Sequence, residues 1–326
     1  MRCSRLLTFT LVALGLQAGQ CDAGVVTYSF GGHVYRLKTR VGAVPEDISA
    51  KLNKQAPATG DRQLNISPNG KWVVMRAERR DANCFGWDCL LVMNYNLSSV
   101  TVIKKPDGGV IHADGFSAIS SSGNMVIYPA SDGPHALDLW KITRDLSGHW
   151  SKPVLLTGAS PHAANVHPAI AKNGGKILFD CGPQASDPID GEICEVGVNG
   201  KGFRVVLTPQ DAPPGFQAAG GLHSADYAPD GSIVFEGNWS ADGSNDERIW
   251  RLPVGGVAKP LGTFHNDNTP CVLPDGYIVS LWLGRQDNVN GAHEPKLMQP
   301  NGLAPRMLVK NKDVDDVGLG CGAELL

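Results

Sequence analysis

Residues 67–75 read SPNGKWVVM, a turn sequence followed at once by a short apolar strand. The pattern of a small or polar turn with a central glycine and then an apolar run recurs four times. The further copies are 121–128 (SSGNMVIY), 173–179 (NGGKILF), 229–235 (PDGSIVF) and 274–280 (PDGYIVS). The turn glycines at 70, 123, 174, 231 and 276 are 53, 51, 57 and 45 residues apart. Such a period indicates repeated copies of one supersecondary unit.

Each copy predicts two antiparallel strands joined by a tight turn. Asn-Gly and Asp-Gly favour a type I′ hairpin, in which both central residues have positive φ. Third strands are predicted at 91–94, 139–142, 193–196, 249–252 and 296–299. Fourth strands follow in some copies, as at 154–156 and 204–207. Four strands per unit at this period are typical of a β-propeller blade.

The two ends of the chain predict a sixth blade. Residues 33–37 (HVYRL) have the pattern of a third strand whose blade lacks its first strand. Residues 317–326 can supply that strand, and a propeller must close its ring because an open sheet edge exposes unpaired backbone groups. The predicted fold class is therefore all-β, a six-bladed β-propeller whose last blade is closed by N- and C-terminal strands.

The repeat also resembles a known family. Residues 165–168 (NVHP) lead to the turn at 173–174, and 267–270 (DNTP) lead to the Pro-Asp-Gly at 274–276. This pattern resembles the WD40-like (PD40) repeat of TolB-like propellers and covers residues 25–326. TolB itself carries an α/β domain before its propeller. No such segment precedes Gly70 here, where 46–55 predicts only one short helix.

The N-terminal residues predict export. Arg2 and Arg5 precede an apolar run at 6–16 and a small-residue stretch ending near Ala23, which together are typical of a signal peptide. Lipidation at Cys21 is the alternative, although Gln20 stands where a small residue is expected. The predicted organisation is a signal peptide over 1–23 and a single propeller domain over 24–326. The expected location is periplasmic or secreted.

Charge and hydropathy exclude two kinds of partner. The formal net charge is −3 and becomes −4 when residues 1–23, with two Arg and one Asp, are removed. This acidic balance argues against nucleic acid, which requires clustered Lys and Arg. The apolar run at 6–16 is too short to span a bilayer, so no membrane span is expected.

Six cysteines remain after residue 23, and an even number in an exported chain indicates disulfides. The predicted blade positions favour local pairs. Cys181 and Cys194 face each other across a hairpin, Cys84 and Cys89 clip the same connection in another blade, and Cys271 and Cys321 remain for the closing blades. Free buried thiols are the alternative. The spacing of Cys84 and Cys89 lacks the second ligand pair that a zinc site needs.

Alignment on the turn glycine suggests a binding site at one mouth of the channel. The position nine residues upstream holds Asp61, Asp114, Asn165, Leu222 and Asp267, and the closing blade adds Asp313, Asp315 and Asp316. Carboxylates on converging strands would attract Ca²⁺ or the Lys and Arg of a partner. The alternative is that these side chains accept backbone N–H bonds within the turns.

Four histidines precede the first strands of successive blades, namely His112, His167, His223 and His265. Converging imidazoles would bind a transition metal in the channel, as in some propeller lyases that act on pectic oligosaccharides. The four lie 11, 7, 8 and 11 residues before their turn glycines, so they differ in depth. The alternative is isolated histidines at the surface or between blades.

Catalytic motifs are absent from the sequence. It contains no Gly-x-Ser-x-Gly elbow, no His-Glu-x-x-His and no phosphate-binding or Rossmann glycine pattern. We therefore expect a monomeric binding module whose channel mouth recognises a protein, peptide or saccharide. The alternative is a metal-dependent lyase or hydrolase acting on saccharides, with the four histidines as ligands.

Overall fold

The computed structural model of this 326-residue chain describes part of its length. The described residues are 24–52, 60–77, 84, 89–183, 191–244, 247–262, 266–283, 293–309, 314 and 318–325. They form six four-stranded antiparallel sheets arranged as the blades of a ring. The all-β, six-bladed propeller predicted from the repeats is confirmed.

Strands are numbered along the chain, and five blades run from an innermost strand at the axis to an outermost one. The three outer strands of the closing blade come first, as β1 (Gly24–Phe30), β2 (His33–Lys38) and β3 (Glu46–Asp47), followed by helix α1 (Ile48–Leu52). Blade 1 holds β4 (Arg62–Ile66), β5 (Trp72–Ala77), β6 (Cys89–Asn94) and β7 (Val100–Val102). Blade 2 holds β8 (Ala118–Ile119), β9 (Met125–Ala130), β10 (Asp138–Thr143) and β11 (Val154–Leu155).

The remaining blades repeat this order. Blade 3 holds β12 (Ala164–Ile170), β13 (Lys176–Gly182), β14 (Glu192–Gly197) and β15 (Arg204–Leu207), and a 3₁₀ turn follows at Pro209–Asp211. Blade 4 holds β16 (Gln217–Tyr227), β17 (Ile233–Ser240), β18 (Arg248–Leu252) and β19 (Lys259–Pro260). Blade 5 holds β20 (Asp267–Val272), β21 (Ile278–Leu283), β22 (His293–Met298) and β23 (Arg306–Met307), and β24 (Gly320–Ala323) ends the series.

The ring is closed by pairing of the last strand with the first. β24 runs antiparallel to β1, with Cys321 opposite Val26, and becomes the innermost strand of the closing blade. β2 is therefore the third strand of that blade, as residues 33–37 predicted. The turn of blade 1 packs on this closure, because Ala323 donates its N–H to Pro68 O at 3.1 Å and a Cβ on Gly70 would lie 1.9 Å from Ala323 O.

The hairpin turns differ in type from the prediction. In each of the five copies the turn glycine has positive φ and donates its N–H to the carbonyl three residues earlier, as from Gly70 to Ser67 at 2.8 Å. The preceding residue, such as Asn69, does not have positive φ. The type I′ prediction was wrong. These are three- and four-residue loops that contain one left-handed glycine, a geometry that Pro before Asn or Asp suits.

Three disulfides join the cysteine pairs expected from the blade positions, Cys84–Cys89, Cys181–Cys194 and Cys271–Cys321. The last connects β20 to β24, so it links blade 5 to the closing blade beside the axis. The apolar core lies between neighbouring blades, as where Leu178 of blade 3 belongs to the same buried cluster as Trp239 and Trp250 of blade 4.

No helix among the described residues is long and apolar enough to cross a membrane.

Candidate functional site

A cavity of about 340 Å³ lies on the axis of the ring and is lined by all six innermost strands. It occupies the half of the channel toward the hairpin turns. The position five residues before each turn glycine lines it in every blade that carries the repeat, with Asn65, Ala118, Ala169, Asp226 and Cys271. Because each innermost strand begins at the opposite end, residues nine before the glycine lie away from this cavity.

The innermost strands share a local distortion seven residues before the turn glycine. Four non-glycine residues there have left-handed φ, namely Gln63 at 55°, His167 at 49°, Ser224 at 51° and Thr269 at 48°. In each case the pairing with the second strand shifts register at this point, which marks a β-bulge. Left-handed backbone is uncommon for such residues, and clusters of it often mark binding sites.

Backbone amides of these bulges bind side chains of the preceding blade. Ser224 donates its N–H to Oδ2 of Asp180 at 2.9 Å, and Thr269 donates its N–H to Oε2 of Glu236 at 2.8 Å. Gln63 donates in the same way to Oγ of Ser29 at 2.8 Å. Each acceptor is buried on a second strand, so the bulge is held in place by the neighbouring blade.

His167 and Asp180 form a polar pair at the channel wall. Nδ1 of His167 lies 2.8 Å from Oδ2 of Asp180, whose side chain is 2% exposed against 34% for the histidine. A neutral imidazole is thereby held in the tautomer protonated on Nδ1. His167, Ser224 and Thr269 all line the cavity, so three of the four bulges present a polar side chain to it.

Asp226 is the acidic side chain of the cavity lining. Its two carboxylate oxygens accept N–H bonds from Tyr227 and, in the next blade, from Val272, both at 2.8 Å. Burial raises the pKa of Asp226 to about 6, and the two amide hydrogen bonds offset only part of that effect. At neutral pH the cavity therefore holds a carboxylate surrounded by apolar side chains.

The turn end of the cavity is rimmed by the residues two before each turn glycine. These residues are Pro68, Ser121, Lys172, Pro229 and Pro274. Three of the five are prolines, whose fixed φ stiffens the rim. Lys172 contributes the positive charge there and is exposed to solvent.

The described residues that were predicted to form the acidic channel mouth lie outside the lining of this cavity. Asp61, Asn165 and Asp267 are buried, whereas Asp114 is exposed and accepts an N–H bond from Ser131 at 2.8 Å. None of the four lines the cavity. Leu222, at the same position, is a buried core residue. Asp313, Asp315 and Asp316 lie outside the described residues.

Two of the buried mouth residues are held by neighbouring side chains. Asn165 donates to the carbonyls of Leu137 and His162 at 3.1 and 3.3 Å and accepts from Ser160 Oγ at 2.8 Å. Asp267 pairs with Lys296, and both are almost fully buried. Both side chains accept hydrogen bonds from within the protein, which agrees with the alternative that these residues have a role in the fold. The donors are the side chains of Ser160 and Lys296, whereas turn amides were expected.

Three of the four candidate histidines lie among the residues that the structure describes. His112 and His223 are half-buried, and His167 pairs with Asp180. A metal site would need three or more donor atoms of His, Cys, Asp or Glu within 4.8 Å of one another. Among the described residues, no such set includes any of these three histidines. His265 lies outside the described residues.

Sequence reasoning missed Asp180, Ser224, Asp226, Glu236 and Thr269. Alignment at nine residues before the glycine selected the end of the strand that lies opposite this cavity. Pro168 and Pro270 carried a usable signal, because proline inside an innermost strand cannot donate to the ladder and marks a bulge. Both prolines directly follow a left-handed residue.

Comparison with known proteins finds no match to any family model or curated protein. Solved structures do match. TolB from Acinetobacter baumannii superposes with a TM-score of 0.64 at 11% identity, over 93% of this chain and 67% of that chain. A putative TolB from Agrobacterium tumefaciens gives 0.58 at 15% identity, over 91% and 96%. This chain has the propeller fold of TolB.

A further match is a puromycin-hydrolysing peptidase from Mycobacterium tuberculosis, with a TM-score of 0.53 at 12% identity. It covers 90% of this chain but 44% of that one, so the present chain spans less than half of that peptidase. At these identities the similarity establishes a shared fold and leaves activity to be argued from the site.

Proposed function

We propose that this chain is an exported, TolB-like binding protein that receives part of a protein or peptide ligand in the turn half of its central channel. The observation that carries the proposal is the axial cavity lined by all six innermost strands. At about 340 Å³ it lies within the range of about 300–1,000 Å³ that is typical of ligand pockets.

The cavity is suited to binding because its wall is held rigid. The bulges that carry Ser224 and Thr269 are each bonded to an acidic side chain of the preceding blade, and prolines stiffen the rim. A preformed pocket costs little conformational entropy when a ligand enters. This supports recognition as the role of the channel.

The chemistry of the lining favours a peptide. Aliphatic and proline side chains such as Ile66, Ile119 and Pro270 form most of the wall, with Asp226 as an acceptor. A saccharide would leave several hydroxyls without partners against such a wall, and each unpaired group costs about 1–3 kcal/mol. An apolar side chain that carries a hydrogen-bond donor fits better, and Lys172 at the rim suits an acidic neighbour.

The remaining expectations form part of the same proposal. Three disulfides support an oxidising compartment, so residues 1–23 act as a cleaved signal and the protein is periplasmic or secreted. The chain acts as a single propeller domain over 24–326, built from repeats of the PD40 type, and functions as a monomer.

The test is a selection of phage-displayed random peptides on the immobilised protein, followed by fluorescence anisotropy with each selected peptide. Ala169→Phe fills the cavity from β12, and Val44→Phe is the matched control at an exposed outer position. We expect peptides whose affinity falls at least about tenfold with Ala169→Phe and is unchanged with Val44→Phe.

Thermal unfolding of both variants ensures that any lost binding reflects the channel and not the fold. Peptides that bind Ala169→Phe as tightly as wild type would place recognition elsewhere on the protein. The same anisotropy assay with labelled neutral and acidic oligosaccharides provides the second arm. Channel-dependent binding of a sugar, with no peptide selected, would overturn the assignment of the ligand class.

A further inference from the structure

Four potential metal ligands meet in blade 3, outside the channel cavity. A ring nitrogen of His162, a carboxylate oxygen of Glu192 and the sulfurs of Cys181 and Cys194 all lie within 4.8 Å of one another. The two sulfurs are joined as a disulfide. Among the described residues, no other set of three or more His, Cys, Asp and Glu donors lies so close.

Strand geometry brings three of the donors to one face. Cys181 on β13 is directly opposite Glu192 on β14, and Cys194 lies two residues further along β14. Side chains two apart on a strand point to the same side of the sheet, so all three donors share that side.

The fourth donor comes from the segment before β12. His162 donates its N–H to Oγ of Ser160 at 3.2 Å, and its carbonyl accepts from Nδ2 of Asn165 at 3.3 Å. Its ring lies beside Phe203, with centroids 6.3 Å apart. Backbone and ring are thus both held over the sheet face that carries the disulfide.

The imidazole of His162 has a feature that its role in packing does not explain. Its Nε2 is buried and makes no hydrogen bond to any described residue, and Oε2 of Glu192 lies 3.4 Å away. Leaving a buried polar atom without a hydrogen bond costs about 1–3 kcal/mol. A nitrogen directed at two sulfurs and a carboxylate has the arrangement of a ligand.

We propose that reduction of the Cys181–Cys194 disulfide converts this cluster into a Zn²⁺ site. Two thiolates, one imidazole and one carboxylate match the number and type of ligands in tetrahedral zinc sites. The sulfurs of a disulfide are not thiolates, so the oxidised chain does not bind the metal here. Disulfide and zinc site are therefore mutually exclusive states of the same residues.

The chemical step balances with a dithiol as reductant. The dithiol supplies two electrons and two protons, the S–S bond breaks, two protein thiols form and the reductant becomes a cyclic disulfide. Binding of Zn²⁺ then releases two protons to solvent as the thiols become thiolates. With Zn–S bonds of about 2.3 Å, tetrahedral sulfurs lie about 3.8 Å apart, a separation that side-chain rotation on paired strands can reach.

The test uses Co²⁺ as the probe, because tetrahedral cobalt bound to thiolate absorbs visible light. The protein is titrated with Co²⁺ before and after treatment with a phosphine reductant, and Zn²⁺ is then added to displace the cobalt. We expect one equivalent of tetrahedral cobalt per reduced chain and none per oxidised chain. His162→Ala and Glu192→Gln should each weaken the affinity by at least about tenfold.

The matched control is Cys84→Ser with Cys89→Ser, which removes a different disulfide and should bind as wild type does. Equal affinity of wild type and His162→Ala would show that thiols bind cobalt without the cluster and would overturn the proposal. So would a reduced protein that keeps its β-sheet circular dichroism but binds no cobalt.

A second variant avoids reduction in case it unfolds the chain. Cys181→Ala frees the Cys194 thiol under non-reducing conditions and leaves the other two disulfides intact. Three ligands remain, and we expect one equivalent of cobalt that is lost when His162→Ala is added. Absence of stoichiometric binding in this variant would also overturn the proposal.

Discussion

Oδ2 of Asp180 in blade 3 accepts the backbone N–H of Ser224 in blade 4 at 2.9 Å, across the boundary between the two blades at the channel wall. Ser224 has left-handed φ and lies in a bulge, where the pairing of β16 with β17 is interrupted. Its amide therefore bonds to the neighbouring blade and not to a strand of its own sheet. Contacts of this kind fix the angle between neighbouring blades and, through it, the shape of the channel.

Replacing Asp180 should therefore destabilise the ring. Asp180→Ala removes the acceptor of the Ser224 amide and also one hydrogen-bond partner of His167, so we expect a loss of at least about 2 kcal/mol in the free energy of unfolding. Asp180→Asn keeps an acceptor oxygen and should lose less. Urea denaturation measures both, and an Asp180→Ala variant as stable as wild type would contradict the role given to this contact.

The contact between Ser29 and the Gln63 amide, in which the acceptor is uncharged, should contribute less to stability than the contact of Asp180 with Ser224. Ser29→Ala removes the acceptor for the Gln63 amide between the closing blade and blade 1. A hydrogen bond between uncharged groups contributes about 1 kcal/mol, so the loss should be smaller than for Asp180→Ala. The same urea experiment compares the two, and the reverse order would refute this ranking.

Stability should depend on pH through Asp226. Its pKa is raised from an ordinary 3.8 to about 6, so the folded chain binds this proton more tightly than the unfolded chain does. The resulting stabilisation is fully present below pH 3.8 and is lost as the pH rises through about 6. The stability of wild type relative to Asp226→Asn should therefore increase between pH 7 and pH 4.

Asp230, in the same blade, is a control because its pKa is shifted in the opposite direction. A hydrogen bond from the Ser232 hydroxyl, helped by Arg251, lowers the pKa of Asp230 to about 2. Its stabilisation is present above pH 3.8 and is lost as the pH falls through about 2. The difference between wild type and Asp230→Asn should stay constant between pH 7 and pH 4, and parallel curves for the two variants would refute the assignment to Asp226.

Replacing only one member of the buried Lys296–Asp267 pair should lower the free energy of unfolding strongly. Both are almost fully buried, and burial lowers the pKa of Lys296 although Asp267 acts in the opposite direction. Lys296→Met removes the Lys296 cation from a buried carboxylate, for which we expect a loss of about 3–5 kcal/mol. Adding Asp267→Leu should restore part of that loss. Thermal and urea unfolding of the two single variants and the double variant measure the coupling.

The disulfides should differ in their contribution according to the loops they close. Cys271 and Cys321 are 50 residues apart and Cys84 and Cys89 are 5 apart. The chain-entropy model gives about 4 kcal/mol for the first and about 2 kcal/mol for the second. Paired Cys→Ala variants should therefore lose stability in that order in urea, and equal losses would show that loop length is not the controlling factor.

Much of the fold could be predicted because the repeat is explicit in local residue types. Glycines at 70, 123, 174, 231 and 276 located the hairpins, and their spacing located the blades. The closing strand followed from the requirement that no sheet edge stay open. Turn type was less accessible, because Asn69-Gly70 is compatible with more than one backbone geometry.

The site was harder to predict because it depends on contacts between blades. A bulge changes which side chains face the axis, and spacing along the strand does not reveal it without the pairing partner. Asp180 and Glu236 directly follow the apolar runs ILF and IVF in their strands, KILFDCG and IVFEGNWS, and acids in such positions indicate buried partners. Those partners are backbone amides of the following blade, and no pattern of residue types marks an amide.

Pairing of β24 with β1 also constrains the order in which the protein can assemble. Of the described strands, Gly24–Phe30 is made first and Gly320–Ala323 last, so the earliest strand has no inner neighbour until the strands of the other five blades have been synthesised. Blades 1 to 5 can form while translation is still under way, whereas completion of the ring must wait for β24. During that interval β1 offers an unpaired edge, which can pair with a strand of another chain until β24 covers it.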